Sequence, residues 1–175
     1  AEIYVDDAFG TAHRKHASTV GVTEYLPSVA GLLMEKELEY LGGIMENPVH
    51  PFGGLVGGAK VSDKVEMLRN IMGKMDLLLI GGGMAATFLK ARSYEIGLSL
   101  VEEDRLNTAA ELMEEAAKRG VRLLLPVDVV VADEINAEAK GKVVSIENIP
   151  SHQRIVDIGR RTVESFSEAL RSCKT

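Results

Sequence analysis

Phe52-Gly53-Gly54-Leu55-Val56-Gly57-Gly58-Ala59-Lys60-Val61-Ser62-Asp63-Lys64 is an apolar run, a pair of glycines and two lysines four residues apart. The run from Phe52 to Val56 predicts a strand and the segment from Ser62 to Met72 a helix, so the glycines fall where a strand turns into a helix. The first turn of such a helix has unpaired amides that attract phosphate. Glycines let backbone approach a ligand closely, and Lys60 and Lys64 share a face of the first helical turns. Gly57, Gly58, Ala59, Lys60 and Lys64 are therefore candidate phosphate-binding residues. The segment is not a Walker A loop: counting from Gly53 the lysine arrives one residue late, and Val61 stands where Ser or Thr would ligate magnesium. A glycine-rich turn before a surface helix accounts for the same residues and stays open as an alternative.

Outward from this stretch, short apolar runs alternate with helical patterns, as a parallel sheet covered by helices requires. Strands are expected at Phe52 to Val56, Leu77 to Ile80, Val121 to Leu125 and, more weakly, Val143 to Ile146. Helices are expected at Ser62 to Met72, Met84 to Ala91, Asp104 to Arg119 and Arg161 to Arg171. Upstream, Ala1 to Val5 reads as a strand with no partner nearby in sequence. Pro27 to Met45 reads as a long helix, with Pro27 in its first turn and an apolar stripe through Val29, Leu32, Leu33, Leu38 and Leu41. Asn47-Pro48 ends it and marks a domain break. The fold class is α/β: a three-layer α/β/α parallel sheet, Rossmann-like, preceded by the long helix.

Three further segments bear chemistry. Gly81-Gly82-Gly83-Met84-Ala85-Ala86 follows an apolar strand and satisfies the G-x-G-x-x-A dinucleotide fingerprint. The fingerprint also wants an acid ending a second strand, whereas Glu102 and Glu103 sit beside a helix start. The glycines of Gly81 to Gly83 could equally flank an adenine ring or let a helix pack on the sheet. Ala8 to His16 concentrates His13, Arg14, Lys15 and His16 in one loop, where Arg14 could clamp a phosphate or carboxylate with His13 beside it; a solvated basic turn is the alternative. Two histidines without a third ligand make no metal site. Asp128, after Pro126, reads as a turn or cap carboxylate at the carboxyl end of the sheet, and the seven methionines as core filler.

The 175 residues are 46% hydrophobic and 26% charged, which is ordinary for a globular protein and excludes a disordered one. A net charge of −6 without any Lys/Arg block removes the footprint a nucleic-acid partner needs, so anionic ligands depend on local cations. No apolar stretch of about 18 residues and no leader pattern is present, which makes the cytoplasm the expected compartment and a membrane partner unexpected. The single cysteine, Cys173, agrees with a reducing environment.

Four segments in series resemble the phosphoglycerate kinase family across essentially the whole chain. Val5 to Arg14 is similar to V-N-D-A-F-G-T-A-H-R, and Leu55 to Lys64 to I-L-G-G-A-K-V-S-D-K. Ile80 to Lys90 is similar to I-G-G-G-M-A-x-T-F-L-K, and Leu125 to Asp133 to L-P-V-D-V-V-V-A-D. The resemblance implies that residues 1–26 end a substrate domain, 27–46 form an interdomain hinge helix, and 47–175 are the early part of a nucleotide-binding domain. It implies reversible phosphoryl transfer between 1,3-bisphosphoglycerate and ADP, with Mg-ATP or Mg-ADP as nucleotide. Arg14 then matches a phosphoglycerate-binding arginine with His13 beside it, Lys60 the lysine on the transferring phosphoryl, Lys64 the lysine on the nucleotide phosphates, and Gly81, Gly82 and Gly83 the nucleotide-site glycines.

The departures from the family pattern carry expectations of their own. His50 stands where N-P-E-R-P-F has an arginine taken as a substrate contact, which would make anion binding there weaker and pH-dependent. Arg160 replaces the proline of D-I-G-P, and Gly53-Gly54 stand where strand formers are usual. The family continues past Thr175 into W-N-G-P and a loop whose aspartate holds magnesium nucleotide, so the chain alone is expected to be inactive. It is expected to be a monomer, with an exposed sheet edge as the route to a dimer. The rivals are a dinucleotide-binding oxidoreductase module and a non-catalytic binding or structural fragment.

Overall fold

The computed structural model describes residues 1–136 and 138–175. They form two compact units, Ala1–Pro48 and Val49–Thr175.

In the first unit, β1 (Tyr4–Asp6) pairs in parallel with β2 (Ser28–Ala30), and α1 (Leu32–Glu46) follows. The expected lone strand therefore has a partner, and that pairing displaces the helix start from Pro27 to Leu32. The Pro27 carbonyl accepts from Tyr4 N at 2.9 Å, which commits the residues after it to an extended path. Helix α1 begins where Asp7 reaches it: Met34 N donates to Asp7 Oδ1 at 2.9 Å. Its N-cap is Gly31, and a Cβ there would run into the Asp7 carboxylate.

In the second unit, β3 (Gly53–Val56), α2 (Val65–Met72), β4 (Leu77–Ile80), α3 (Met84–Ala91), α4 (Leu106–Lys118) and β5 (Arg122–Leu124) build a parallel sheet in the order β3-β4-β5. All four residues of β4 are buried. Because strand side chains alternate, Leu78 and Ile80 join a core with Leu68, Phe88 and Leu112 of α2, α3 and α4. Leu77 and Leu79 face the other way, against Phe166 and Ala169 of α5 (Arg160–Leu170). Helices on both faces give the three layers expected. A Cβ added to either glycine of β3 would meet a packed side chain: one on Gly53 would stand 2.6 Å from Cys173 Sγ, and one on Gly54 would meet the flexible end of Met75.

A second sheet, antiparallel with order β7-β6-β8, was not expected. Its strands are β6 (Asp128–Ala132), β7 (Lys142–Ser145) and β8 (Arg154–Ile158). The segment expected as a weak strand at Val143 to Ile146 belongs to it, as β7, and not to the parallel sheet. Val129, Val131 and Ile149 form its core, while Ile146 and Ile155 also pack on Ala86 and Leu89 of α3. The helix expected from Ser62 starts three residues later, because Val61 to Lys64 form a turn in which Lys64 N and Val65 N both donate to the Val61 carbonyl.

Candidate functional site

Two glycine loops leave the carboxyl ends of the neighbouring parallel strands β3 and β4 and meet backbone to backbone. Gly82 has φ +62°, and a Cβ on it would lie 2.8 Å from Gly58 N and 3.1 Å from Gly58 O. Only glycine tolerates both the left-handed conformation and this approach. Gly58 itself has φ +154°. Met84 N donates to the Gly58 carbonyl at 2.8 Å and Gly81 N to the Val56 carbonyl at 2.9 Å, so the start of α3 is tied to the first loop. Gly83 packs on Ala59, and the Lys64 stem lies along Gly58, its Cε 3.7 Å from where a Cβ would be. The structure thus brings together Gly57, Gly58, Ala59, Gly81, Gly82, Gly83 and Lys64, with Lys60 next along the chain. Ligands of parallel α/β folds collect at this end of the sheet.

The amides before α2 are not free. Glu102 Oε2 accepts from Val61 N and from Ser62 N, the latter at 3.1 Å, and Oε1 accepts the Ser62 hydroxyl at 2.5 Å. Glu102 is itself placed by a bond from its own N to Thr87 Oγ1 of α3, 3.3 Å long. Partial burial works against the charged form, yet the bonds from Ser62 and Val61 and the nearby Lys60 charge hold Glu102 below the usual carboxylate range. The anion at this turn is the protein's own, which corrects the expectation of free helix amides. A phosphate here would depend on the lysines and the glycine backbone. Glu102 lies 40 residues from Ser62, and nothing local in the sequence joins them.

A cavity of about 410 Å³ opens beside the loops, its walls including Ala59, Gly82, Gly83, Leu98, Pro126 and Ile155. That is ample for a nucleotide base. Arg154 and Asp157 of β8 also line it, and sequence reasoning had singled out neither.

Asp128 is 3% exposed and caps α5: its carboxylate accepts from Thr162 N at 2.7 Å, Thr162 Oγ1 at 2.6 Å and Arg161 N at 3.0 Å. Burial opposes its charge, but these bonds and the Arg161 guanidinium keep it ionised below the usual range. Gly159 precedes α5 because a Cβ there would strike this carboxylate. The cap reading of Asp128 is the one realised.

His50 is not brought to the glycine loops. It precedes β3, at the end opposite Gly57, about 13 Å away along four strand residues. Its Nδ1 is 2.6 Å from Asp76 Oδ2, which also accepts from Phe52 N at 2.7 Å. These two bonds hold Asp76 below its usual range. In the first unit, Arg14 Nε donates to His13 Nε2 at 3.0 Å, and both side chains are exposed. Among the described residues no group of three His, Cys, Asp or Glu side chains could hold a metal, and no helix is long and apolar enough to cross a membrane. The dinucleotide reading of Gly81 to Ala86 lacks its acid, since β5 ends at Leu124 and runs into Leu125 and Pro126.

The family model described as phosphoglycerate kinase matches residues 1–175. The chain is 57% identical over 176 residues to the phosphoglycerate kinase of Thermosynechococcus vestitus and 54% identical over 174 residues to that of Chloroflexus aurantiacus. It covers 44% of each relative, and they cover 100% and 99% of it. The phosphoglycerate kinase structure from Coxiella burnetii superposes with a TM-score of 0.87 at 44% identity, over 100% of this chain and 45% of that one. The Pyrococcus horikoshii enzyme gives 0.81 at 28% identity, over 99% and 44%. The chain thus spans less than half the length of the relatives it matches, and it belongs to the phosphoglycerate kinase family.

Proposed function

We infer that the second unit binds a nucleotide with its phosphates at the Gly57 to Lys64 and Gly81 to Gly83 loops, as one part of a phosphoglycerate kinase. The observation that carries this is the backbone contact of Gly82 with Gly58 beside Lys64 and an apolar cavity. The reaction is reversible phosphoryl transfer between 1,3-bisphosphoglycerate and ADP, which needs positioning and charge stabilisation and no covalent enzyme intermediate. Lys60 offsets charge on the transferred phosphoryl and Lys64 holds the nucleotide phosphates. Arg14, with His13, orients the acceptor, and α1 serves as the hinge between the substrate and nucleotide domains. The nucleotide is an adenine nucleotide carrying its own magnesium, for which the described residues supply no group of three His, Cys, Asp or Glu ligands. The compartment is the cytoplasm. The chain is a monomer, and an open edge of the β3-β4-β5 sheet is the surface through which a dimer would form.

Titration of the 175-residue chain with Mg-ADP, followed by amide chemical shifts, tests the reading. Shifts should centre on Gly57 to Lys64 and Gly81 to Gly83, and Lys64→Ala should weaken them; shifts confined to the Arg14 loop would defeat it. A coupled assay of the same polypeptide should read background, because misalignment of acceptor and nucleotide forfeits about 7–11 kcal/mol of barrier lowering. Turnover abolished by Lys60→Ala would overturn that expectation.

A further inference from the structure

A groove of about 460 Å³ lies between α4 and β5 in the second unit, and it shares no wall residue with the cavity beside the glycine loops. Its walls are largely apolar: Met113 with Ala110 and Ala117 of α4, and Leu123 and Leu125 in and just after β5. Its size is that of a small-molecule site.

The groove follows from the topology. Strand β5 is the last in the order β3-β4-β5, so among the described residues no strand covers its outer edge. Leu123 and Leu125, two positions apart, turn to the side of α4 and are only partly buried against the core there. On α4, Ala110 and Ala117 stand one turn either side of Met113 and are too short to fill the space beside it. From Ala110 to Ala117 the helix advances about 10 Å, which gives the trough its length.

Arg92, the C-cap of α3, is the cation on the wall. Its amide donates to the Phe88 and Leu89 carbonyls at 3.2 and 3.0 Å, which fixes the backbone that carries it. The guanidinium carbon stands 6.0 Å from the centre of the Tyr94 ring, and among the described residues no carboxylate pairs with it. The one carboxylate on the wall, Glu114, is matched instead by Lys118 Nζ at 3.6 Å.

An apolar trough with an unmatched guanidinium suits a ligand with a hydrocarbon body and a carboxylate head. The body takes the place of water along Met113, Leu123 and Leu125, and the planar guanidinium can donate to both carboxylate oxygens. A dianionic phosphate head would call for a second cation, where the wall offers Glu114.

We propose that this groove binds a straight-chain monocarboxylate of medium length, with its head on Arg92 and its chain along α4. The site is distinct from the glycine loops and does not rest on their nucleotide reading.

Butanoate, hexanoate, octanoate, octanol and octylammonium are titrated into the 175-residue chain and into Arg92→Met and Ala117→Leu, followed by amide chemical shifts below the concentration at which octanoate forms micelles. Octanoate should move Met113, Ala117 and Leu123 and leave Gly57 to Lys64 and Gly81 to Gly83 in place. Affinity should rise about fourfold for each added methylene. Arg92→Met, which keeps most of the stem, should weaken octanoate about fivefold and leave octanol unchanged. Ala117→Leu, on an exposed helix face, should block octanoate without lowering the melting temperature. Octanoate binding no more tightly than octanol or octylammonium overturns the proposal, and that comparison on the unaltered chain decides the matter if a variant does not fold. Affinity that ignores chain length, shifts centred elsewhere, binding undiminished by either substitution, or no saturable response overturns it equally.

Discussion

Glu102 grips Ser62 twice, by the hydroxyl at 2.5 Å and by the backbone amide at 3.1 Å, and so holds the turn that carries Lys60 and Lys64. A carboxylate from outside the segment thus does what a local N-cap residue would otherwise do. The lysines gain a fixed backbone and a nearby negative charge that nucleotide phosphates must compete with.

Glu102→Ala is expected to destabilise the second unit by about 1–2 kcal/mol at neutral pH, read from chemical denaturation. Its folded-state value is depressed, so the contribution is complete above the unfolded value of about 4.3 and is lost as pH falls through the lower folded value. The difference between the two proteins should therefore shrink on acidification. A difference that stayed constant down to pH 2 would show that the charge of Glu102 is not what holds the turn.

Asp128→Ala should cost more, about 3 kcal/mol, because Thr162 and two amides of α5 would lose a buried acceptor together. Thr162→Val, which leaves the two amide bonds to Asp128 in place, should cost less. Calorimetric melting of the two variants checks the order. The Asp128 contribution has the same sign with pH, being present above about 3.9 and lost below its depressed folded value.

Gly82→Ala places a methyl 2.8 Å from Gly58 N in a backbone at φ +62°. The left-handed conformation alone costs about 1–2 kcal/mol, and the clash separates the two loops. Loss of ADP binding with a lowered melting temperature is expected. Gly42→Ala, in a helix of the first unit where nothing lies within 4 Å of the added carbon, is the control and should leave ADP binding unchanged.

His50→Ala should raise the Asp76 pKa toward an ordinary aspartate value, observable in a carboxyl-carbon NMR titration, since the largest influence lowering it is the imidazole bond. The same variant should leave the ADP titration unaltered, because β3 separates His50 from the glycine loops. A weakened ADP titration in a variant that keeps its fold would place His50 in the site after all.

The parts of this fold written locally were readable. Leu77 to Ile80 and Met84 to Ala91 come out with their expected bounds, since an unbroken apolar run and three glycines punctuate them. The strands that were missed depend on distant partners: Ser28–Ala30 pairs with residues 24 positions earlier, and Arg154–Ile158 with Asp128–Ala132 through an irregular register. Gly53 and Gly54 run against strand propensity, and the side chains that pack where their Cβ atoms would be, those of Cys173 and Met75, come from elsewhere in the chain. The site divides in the same way. The glycines and lysines are adjacent in the chain and announce themselves, whereas Glu102, Arg154 and Asp157 become relevant only once α3 and β8 are folded against the loops.

Strand β4 lies at the centre of both helical layers, with Leu78 and Ile80 committed to one core and Leu77 and Leu79 to the other. Neither layer can loosen without uncovering a face of the same four residues. Their amide hydrogens should thus exchange with deuterium only when the whole second unit opens, at one common rate set by its global stability, while those at the three-residue strands β1 and β2 exchange far sooner.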